Sequence, residues 1–67
     1  MARIAKVVVR LPLNRVFDYL IPDELVSLAA PGTPVVVPFG RSQRPGYIVE
    51  VTDHSDRSDL KPILSIA

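Results

Sequence analysis

Proline and glycine interrupt this chain at short intervals, and this spacing constrains its fold more than any other feature. Seven prolines and three glycines are spread over 67 residues, and between them lie short runs rich in valine, isoleucine, tyrosine and phenylalanine. β-Branched and aromatic residues favour a pleated, half-buried surface, whereas proline and glycine end such runs in turns. The pattern therefore predicts a mainly β domain built from short strands.

Five runs fit this description, and the predicted strands span residues 3–10, 16–21, 33–39, 47–52 and 60–66. A turn is predicted at 11–14, and polar loops are predicted at 40–46 and 53–59. Pro22 and the two acids after it resemble a helix start, so we expect a short helix or 3₁₀ turn before the next proline. The predicted fold is a small, five-stranded, barrel-like antiparallel sheet of the SH3-like or OB-like kind, with one short helical turn.

Alternation along the strands predicts which residues share a face. In the second strand, Phe17 and Tyr19 lie on one face and Asp18 lies on the other. An ionised carboxylate is costly to bury without a partner. Asp18 therefore either points to water, pairs with Arg15 or Lys6, or holds a ligand, and the alternation leaves these readings open.

The third and fourth predicted strands add two expectations. Pro34 and Pro38 share one face of the third strand and lack the N–H group that a sheet ladder needs, so full pairing is not expected there. In the fourth strand, strict alternation places Tyr47, Val49 and Val51 together on one face.

Composition sets limits on what the chain does. The sequence is 48% hydrophobic and 22% charged, which predicts a folded domain, and its net charge of +1 does not by itself indicate nucleic-acid binding. No apolar run approaches the roughly 18 residues of a membrane span, so we expect a cytoplasmic location and no membrane contact. The apolar C-terminal residues suggest that residues 1–67 are one domain cut from a longer protein.

Several kinds of active site are missing from the sequence. The chain has no phosphate-binding Gly-x-x-x-x-Gly-Lys-Ser/Thr motif, no cysteine and one histidine, His54, which lies in a polar loop. These features exclude a P-loop ATPase and the usual zinc sites within the chain. We therefore predict no catalysis, no metal and no cofactor for these residues alone.

The remaining candidates are binding residues, and each has a purely structural alternative. Phe17 either stacks on a base or sugar or packs in the core. Gly40 either lets a ligand approach the backbone or simply occupies a turn. Arg41, Arg44 and Lys61 either contact phosphates or form a solvated rim.

Taken together, three motifs give a more specific result. Phe17-Asp18-Tyr19, Val37-Pro38-Phe39-Gly40 and Leu60-Lys61-Pro62 occur in order with characteristic spacing. In these motifs the chain resembles the amino terminus of the bacterial primosomal replication-restart helicases, the primosomal protein N′ family. The resemblance covers nearly the whole chain.

The resemblance implies a function. In that family, this region belongs to a 3′ DNA-binding domain that captures the 3′ end of the nascent leading strand at stalled forks, without base preference, and residues 1–67 are expected to form its β-rich part. It implies that Phe17, Asp18, Gly40 and Lys61 form the pocket for the 3′ end. Full-length members are ATP-dependent 3′–5′ DNA helicases. ATP, Mg²⁺ and Zn²⁺ are expected in domains outside these residues, and forked DNA, primosome proteins, single-stranded DNA-binding protein and other domains of the same helicase are the expected partners.

An alternative function remains open from the residues alone. Net charge near zero and the absence of tryptophan also fit an SH3-like module that docks a peptide or a neighbouring domain. The pocket also poses a geometrical problem, because Phe17 and Asp18 point to opposite faces of a regular strand. Strand twist, a bulge or backbone contacts are three ways in which both residues would reach one ligand.

Overall fold

A computed structural model describes residues 3–10 and 14–67 of the chain. Its strands are β1 (Ile4–Val9), β2 (Arg15–Leu20), β3 (Pro34–Phe39), β4 (Ser42–Thr52) and β5 (Ser65–Ile66), and a 3₁₀ helix covers Asp23–Leu25. The strands form one antiparallel sheet in the order β2-β1-β4-β3-β5. These elements confirm the mainly β fold with one short helical turn, whereas most of the turn predicted at 11–14 lies outside the described residues. No helix in the described ranges is long and apolar enough to cross a membrane.

The C-terminal segment contacts β2, an edge strand of the sheet, and also β3. The Leu20 N–H donates to the Lys61 carbonyl, and the Ile63 N–H donates to the Leu20 carbonyl, each at 2.9 Å. One residue later, the Leu64 N–H donates to the carbonyl of Val36 in β3, also at 2.9 Å. The segment thus crosses from β2 to β3, so β5 is much shorter than the strand predicted at 60–66.

The sheet itself is open, and the predicted barrel is not shown. Within the described residues, the C-terminal segment meets β2 at one isolated parallel bridge, Leu20 with Pro62, instead of a continuous ladder. The Tyr19 hydroxyl adds a second link, because it donates to the Pro38 carbonyl at 2.9 Å. The edges of β2 and β3 are therefore tied together at a few points and leave a gap elsewhere.

The core lies on the inner face of the sheet. In β1, every second residue is fully buried, as the alternation predicts. Each buried aliphatic side chain contributes about 1.5–3 kcal/mol of transfer free energy. The buried hydrophobic residues are Ala5, Val7, Val9, Tyr19, Ile21, Val35, Val37, Ile48 and Ile63.

A β-bulge in β4 changes the predicted faces of that strand. The ladder between β1 and β4 skips Val49, so the alternation shifts by one residue at that point. Ile48 is fully buried and Val51 packs against the core, whereas Tyr47 and Val49 are exposed. The prediction that Tyr47, Val49 and Val51 share a face is wrong, because strict alternation does not continue through a bulge.

The loop predicted at 40–46 is also wrong, because β4 begins at Ser42. Gly40 and Arg41 alone connect β3 to β4 as a two-residue hairpin turn. Gly40 adopts a φ of 61°, which glycine tolerates without steric cost and other residues rarely adopt. The tight turn pairs β3 along its whole length with the first half of β4.

Two prolines in β3 do not prevent this pairing with β4. Pro34 pairs with Tyr47 and Pro38 pairs with Gln43. Pro34 and Pro38 lie two residues before and after Val36, so their backbone groups point the same way as those of Val36. The Val36 carbonyl points toward the C-terminal segment and accepts a hydrogen bond from Leu64. The missing N–H groups therefore fall on the side away from β4, and the expected restriction applies only to that side.

Gly46 lies inside β4, and its missing side chain lets the two central strands approach closely. A Cβ atom at this position would lie 2.7 Å from Val7 Cγ1 and 2.7 Å from the Val8 carbonyl oxygen. We predict that Gly46→Ala lowers the free energy of unfolding by about 1–3 kcal/mol, the usual cost of overpacking. Urea unfolding followed by circular dichroism measures this change.

The control is Gln43→Ala, an exposed substitution in the same strand, which should change stability by about 0.5 kcal/mol or less. A Gly46→Ala protein as stable as the parent would show that the space between β1 and β4 can accommodate a methyl group at this position.

Candidate functional site

A cleft of about 450 Å³ opens between β2, the end of β3 and the segment that precedes the C-terminal crossing. It occupies the gap where the edges of β2 and β3 face each other. Three stretches that are distant in sequence therefore share one concave surface. The lining residues are Val16, Phe17, Asp18, Tyr19, Pro38, Phe39, Gly40, Asp56, Arg57, Asp59, Leu60 and Lys61.

The four pocket residues implied by the family resemblance all line this cleft. Phe17 and Asp18 lie on β2, Gly40 lies in the hairpin turn, and Lys61 lies next to the isolated bridge with β2. The structure thus brings the four residues together, and their role in binding stays a prediction.

The two arginines predicted to contact phosphates lie outside the cleft lining. Arg41 is exposed in the turn beside Gly40, and Arg44 is exposed in β4 opposite Val37. Arg44 is therefore part of a strand and not of the loop predicted at 40–46, and the phosphate contacts of both arginines stay a prediction.

Aromatic residues form the apolar wall of the cleft. Phe17 is half-buried, and its ring meets the ring of Phe39 edge-to-face, with centroids 5.4 Å apart and planes at 67°. Phe17 also pairs with Val7 of β1. Packing in the core and lining the cleft are thus compatible for Phe17.

Tyr19 links the two strands behind this wall. It is 5% exposed, and burial raises the pKa of its hydroxyl, so the group remains a neutral donor at physiological pH. Its hydrogen bond to the Pro38 carbonyl holds the end of β3 against β2. This bond fixes the width of the cleft at its aromatic end.

Asp18 is paired on both of its carboxylate oxygens. Lys6 Nζ lies 3.2 Å from Oδ1, and the Ser55 hydroxyl donates to Oδ2. The Ser55 hydrogen bond and, to a smaller extent, Lys6 hold the pKa of Asp18 below its ordinary value, although partial desolvation opposes them. The carboxylate is therefore ionised at neutral pH.

Backbone geometry explains how Phe17 and Asp18 reach the same cleft from opposite faces of β2. The Leu20 N–H points away from β1, toward Lys61, whereas the Ile21 N–H donates to Arg3 beside β1. N–H groups two residues apart in a strand point the same way. Asp18 therefore directs its own N–H and C=O away from β1, into the gap that the cleft occupies.

One wall of the cleft was not predicted from the sequence. Asp56, Arg57, Asp59 and Leu60 line it, although composition indicated only a solvated polar loop at 53–59. Arg57 Nε lies 3.4 Å from Asp59 Oδ1, and this hydrogen bond lowers the pKa of the Asp59 carboxyl. No spacing in the sequence signals that this loop folds back onto β2.

The charges around the cleft nearly cancel. Three carboxylates, those of Asp18, Asp56 and Asp59, face two cations, Arg57 and Lys61. Within residues 3–10 and 14–67, no group of acidic or histidine side chains is arranged to hold a metal ion. The cleft therefore offers shape, hydrogen bonds and an apolar wall more than a strong positive field.

Comparison with known proteins places the chain in a family. The model of the 3′ DNA-binding domain of PriA matches residues 6–67. The chain belongs to the PriA 3′ DNA-binding domain family. This result confirms the resemblance stated from the sequence motifs.

Two curated relatives carry the name replication restart protein PriA. The protein of Bacillus subtilis is 36% identical over 64 residues, which cover 79% of this chain, and that of Haemophilus influenzae is 41% identical over 64 residues, which cover 92%. In both, the match covers only 8% of the relative's own length. The chain thus corresponds to a small part of a PriA protein.

The ion pair of Asp18 makes stability depend on pH. Because the folded state lowers the pKa of Asp18, this carboxylate contributes stability above its unfolded pKa of about 3.9, and the contribution is lost as pH falls through the folded pKa. We predict that Asp18→Asn destabilises the domain at pH 7 but loses less stability than the parent between pH 5 and pH 2. Thermal unfolding across this range measures both effects.

Asp53→Asn, which removes an exposed carboxylate from the nearby loop, controls for the loss of one negative charge. If the melting temperatures of the parent and Asp18→Asn changed with pH in parallel, the Lys6 and Ser55 contacts would not stabilise the folded state.

Proposed function

We propose that the chain binds the 3′ end of a DNA strand, without base specificity, with the terminal nucleotide in the cleft. Membership of the 3′ DNA-binding domain family supports DNA as the ligand. The observation that carries the proposal is that Phe17, Asp18, Gly40 and Lys61 line one cleft of about 450 Å³. This volume lies in the usual range for small-ligand sites of about 300–1,000 Å³.

The aromatic wall gives contact that any nucleotide can use. The Phe17 side chain, braced edge-to-face by Phe39, offers an apolar surface to a sugar or a base. Stacking tolerates every base, because each base has a π-face, and is worth about 1–3 kcal/mol per base. Base-independent binding follows from this kind of contact.

Polar groups of Asp18 suit the terminal hydroxyl. The Lys6 and Ser55 contacts use one site on each carboxylate oxygen, and an ionised carboxylate has about four lone-pair sites, so it retains capacity to accept another hydrogen bond. The N–H and C=O of Asp18 also face the cleft. A 3′-hydroxyl would donate to the carboxylate or to the carbonyl oxygen of Asp18, and Gly40 would leave space beside it.

The acids around the cleft would reject a terminal phosphate. A 3′-phosphate brings additional negative charge next to Asp18, Asp56 and Asp59, whereas the two cations can neutralise only a small number of phosphates. Lys61 is suited to the phosphodiester before the terminal nucleotide. Arg41, beside Gly40, and Arg44 are proposed to meet phosphates farther along the strand.

The wider role proposed for the chain follows from its relatives. We propose that it serves replication restart by capturing the nascent leading-strand end at stalled forks, within an ATP-dependent 3′–5′ DNA helicase in the cytoplasm. Both curated relatives are named replication restart proteins. ATP, Mg²⁺ and Zn²⁺ would act in other parts of that helicase, where primosome proteins and single-stranded DNA-binding protein are proposed partners.

Selection of the free hydroxyl is the direct test of this function. We predict that an oligonucleotide ending in a 3′-hydroxyl binds at least about tenfold more tightly than the same oligonucleotide ending in a 3′-phosphate, a difference of about 1.4 kcal/mol. Fluorescence anisotropy with internally labelled oligonucleotides measures both dissociation constants. A labelled oligonucleotide with an added 5′-phosphate controls for charge, and equal affinity for both 3′ ends would exclude the proposed mechanism.

Lys61 should supply one phosphate contact. We predict that Lys61→Met weakens binding and reduces the slope of log K against log salt by about 0.7, because one neutralised phosphate on a single strand contributes that amount. Arg3→Gln is the control: it also removes one positive charge, but Arg3 pairs with Asp23 and does not line the cleft. An unchanged slope for Lys61→Met would place the phosphates elsewhere.

A second candidate function has one observation in its favour. Val16, Val8, Tyr47 and Pro34 are paired across four neighbouring strands and form an apolar stripe on the outer face of the sheet. Val16 is 54% exposed and Tyr47 is 45% exposed. Exposed apolar stripes often mark interaction sites, so this face would dock another part of the same polypeptide.

Tyr47→Ser separates the two functions. Docking through the stripe predicts that this variant keeps the parent's DNA affinity and loses association with the rest of a full-length protein, measured by limited proteolysis between the domains. Unchanged proteolysis would argue against docking through this face, and lost DNA affinity would instead assign the stripe to the DNA site.

A further inference from the structure

We propose that Lys6, Asp18 and Ser55 form a latch that holds the loop wall of the cleft against β2, with Lys6 and Ser55 acting as positioning residues for selection of the strand end. The inference rests on the proposed binding of a DNA 3′ end. Neither positioning residue lines the cleft itself, so both act through Asp18 and the loop.

The latch connects three separate parts of the chain through one carboxylate. Lys6 lies on β1 directly opposite Asp18 and contacts Oδ1 at 3.2 Å. Opposed residues whose backbones do not bond each other bring their side chains closest, and this pair has that arrangement. Ser55, 37 residues farther along the chain, donates to Oδ2 from the other side.

Partial burial strengthens these contacts. The Asp18 side chain is 14% exposed and that of Lys6 is 36% exposed. Hydrogen bonds to an ionised carboxylate are stronger than neutral ones, and limited solvent access preserves them. The lowered pKa of Asp18 agrees with this geometry, because the Ser55 bond makes the largest contribution to it.

The Ser55 hydroxyl also organises the loop that forms the cleft wall. Its oxygen accepts a hydrogen bond from the Arg57 N–H at 3.1 Å, and the Arg57 side chain contacts Asp59 within the cleft lining. At the far end of this stretch, the Lys61 carbonyl accepts from Leu20. The wall is therefore fixed to β2 at both ends, and Ser55 supplies one of the two attachments.

Loss of the Ser55 attachment should affect selectivity more than affinity. Asp59 would no longer be held at its place on the wall, and the cleft would widen on its acidic side. The aromatic contact of Phe17 with Phe39 does not depend on the loop, so the apolar surface would persist. A 3′-phosphate would then be rejected less strongly, while a 3′-hydroxyl end would still bind.

The test compares Ser55→Ala with Ser55→Thr, which keeps the hydroxyl, and with Ser58→Ala, which removes an exposed hydroxyl from the same loop. For each protein, the ratio of dissociation constants for 3′-phosphate and 3′-hydroxyl oligonucleotides is measured by fluorescence anisotropy. We expect Ser55→Ala to reduce this ratio about threefold, because Asp18 stays in the cleft and keeps part of the rejection. Ser55→Thr and Ser58→Ala should keep the ratio of the parent.

A second readout examines the latch without DNA. Titration of the Asp18 carboxyl by NMR should show its pKa rising in Ser55→Ala, and the Arg57 amide should exchange faster with solvent. Lys6→Met is a second variant that removes the other contact, and it should also raise the pKa of Asp18. This variant keeps the test valid if Ser55→Ala does not fold.

The outcomes separate the latch from the proposed function. If the parent protein does not prefer a 3′-hydroxyl end, the proposed function is wrong. If the parent prefers it and Ser55→Ala keeps the full ratio, the latch is wrong while the function stands. An unchanged Asp18 pKa in both variants would overturn the latch on structural grounds, whatever the DNA measurements show.

Discussion

The approach of β2 to β3 is the contact on which the other features of this domain depend. Two kinds of bond hold the edges together: the Tyr19 hydroxyl donates to Pro38, and the C-terminal segment bonds Leu20 on one side and Val36 on the other. Within residues 3–10 and 14–67, these hydrogen bonds do not form a continuous ladder, and the Phe17 and Phe39 rings add a side-chain contact between the two strands, so a gap remains along the edges. The cleft lies in that gap, and its walls are the strand edges together with the loop tied to Asp18.

This construction favours recognition by fit over recognition by charge. The cleft combines an aromatic wall with three carboxylates and two cations, so its net charge is close to neutral. A site of this kind gains little from the long-range attraction that dominates most binding to the DNA backbone. In the proposed function, discrimination comes from groups held in place around the terminal sugar. For this reason the positioning of Asp18 and of the loop wall carries more weight here than the number of basic residues.

The alternate burial along β1 could be predicted from the sequence, because burial with period two follows directly from the pleat of a strand. The turn reading of Gly40 is confirmed, but the two-residue length of that turn and the bulge at Val49 were not predicted, since both depend on pairing between strands and not on local composition. Family resemblance, and not periodicity, pointed to Phe17 and Asp18, which alternation assigns to opposite faces. The loop wall was missed because a polar stretch has the same composition whether it is solvated or bonded to β2.

Binding of a strand end in the cleft is tested most directly by a crystal structure of the chain with a short oligonucleotide that ends in a 3′-hydroxyl. We predict that the terminal nucleotide lies between Phe17 and Gly40, with its hydroxyl within hydrogen-bonding distance of the side chain or backbone of Asp18. Lys61 should contact the preceding phosphate. A terminal nucleotide bound on the outer face near Tyr47, with the cleft left empty, would contradict this prediction.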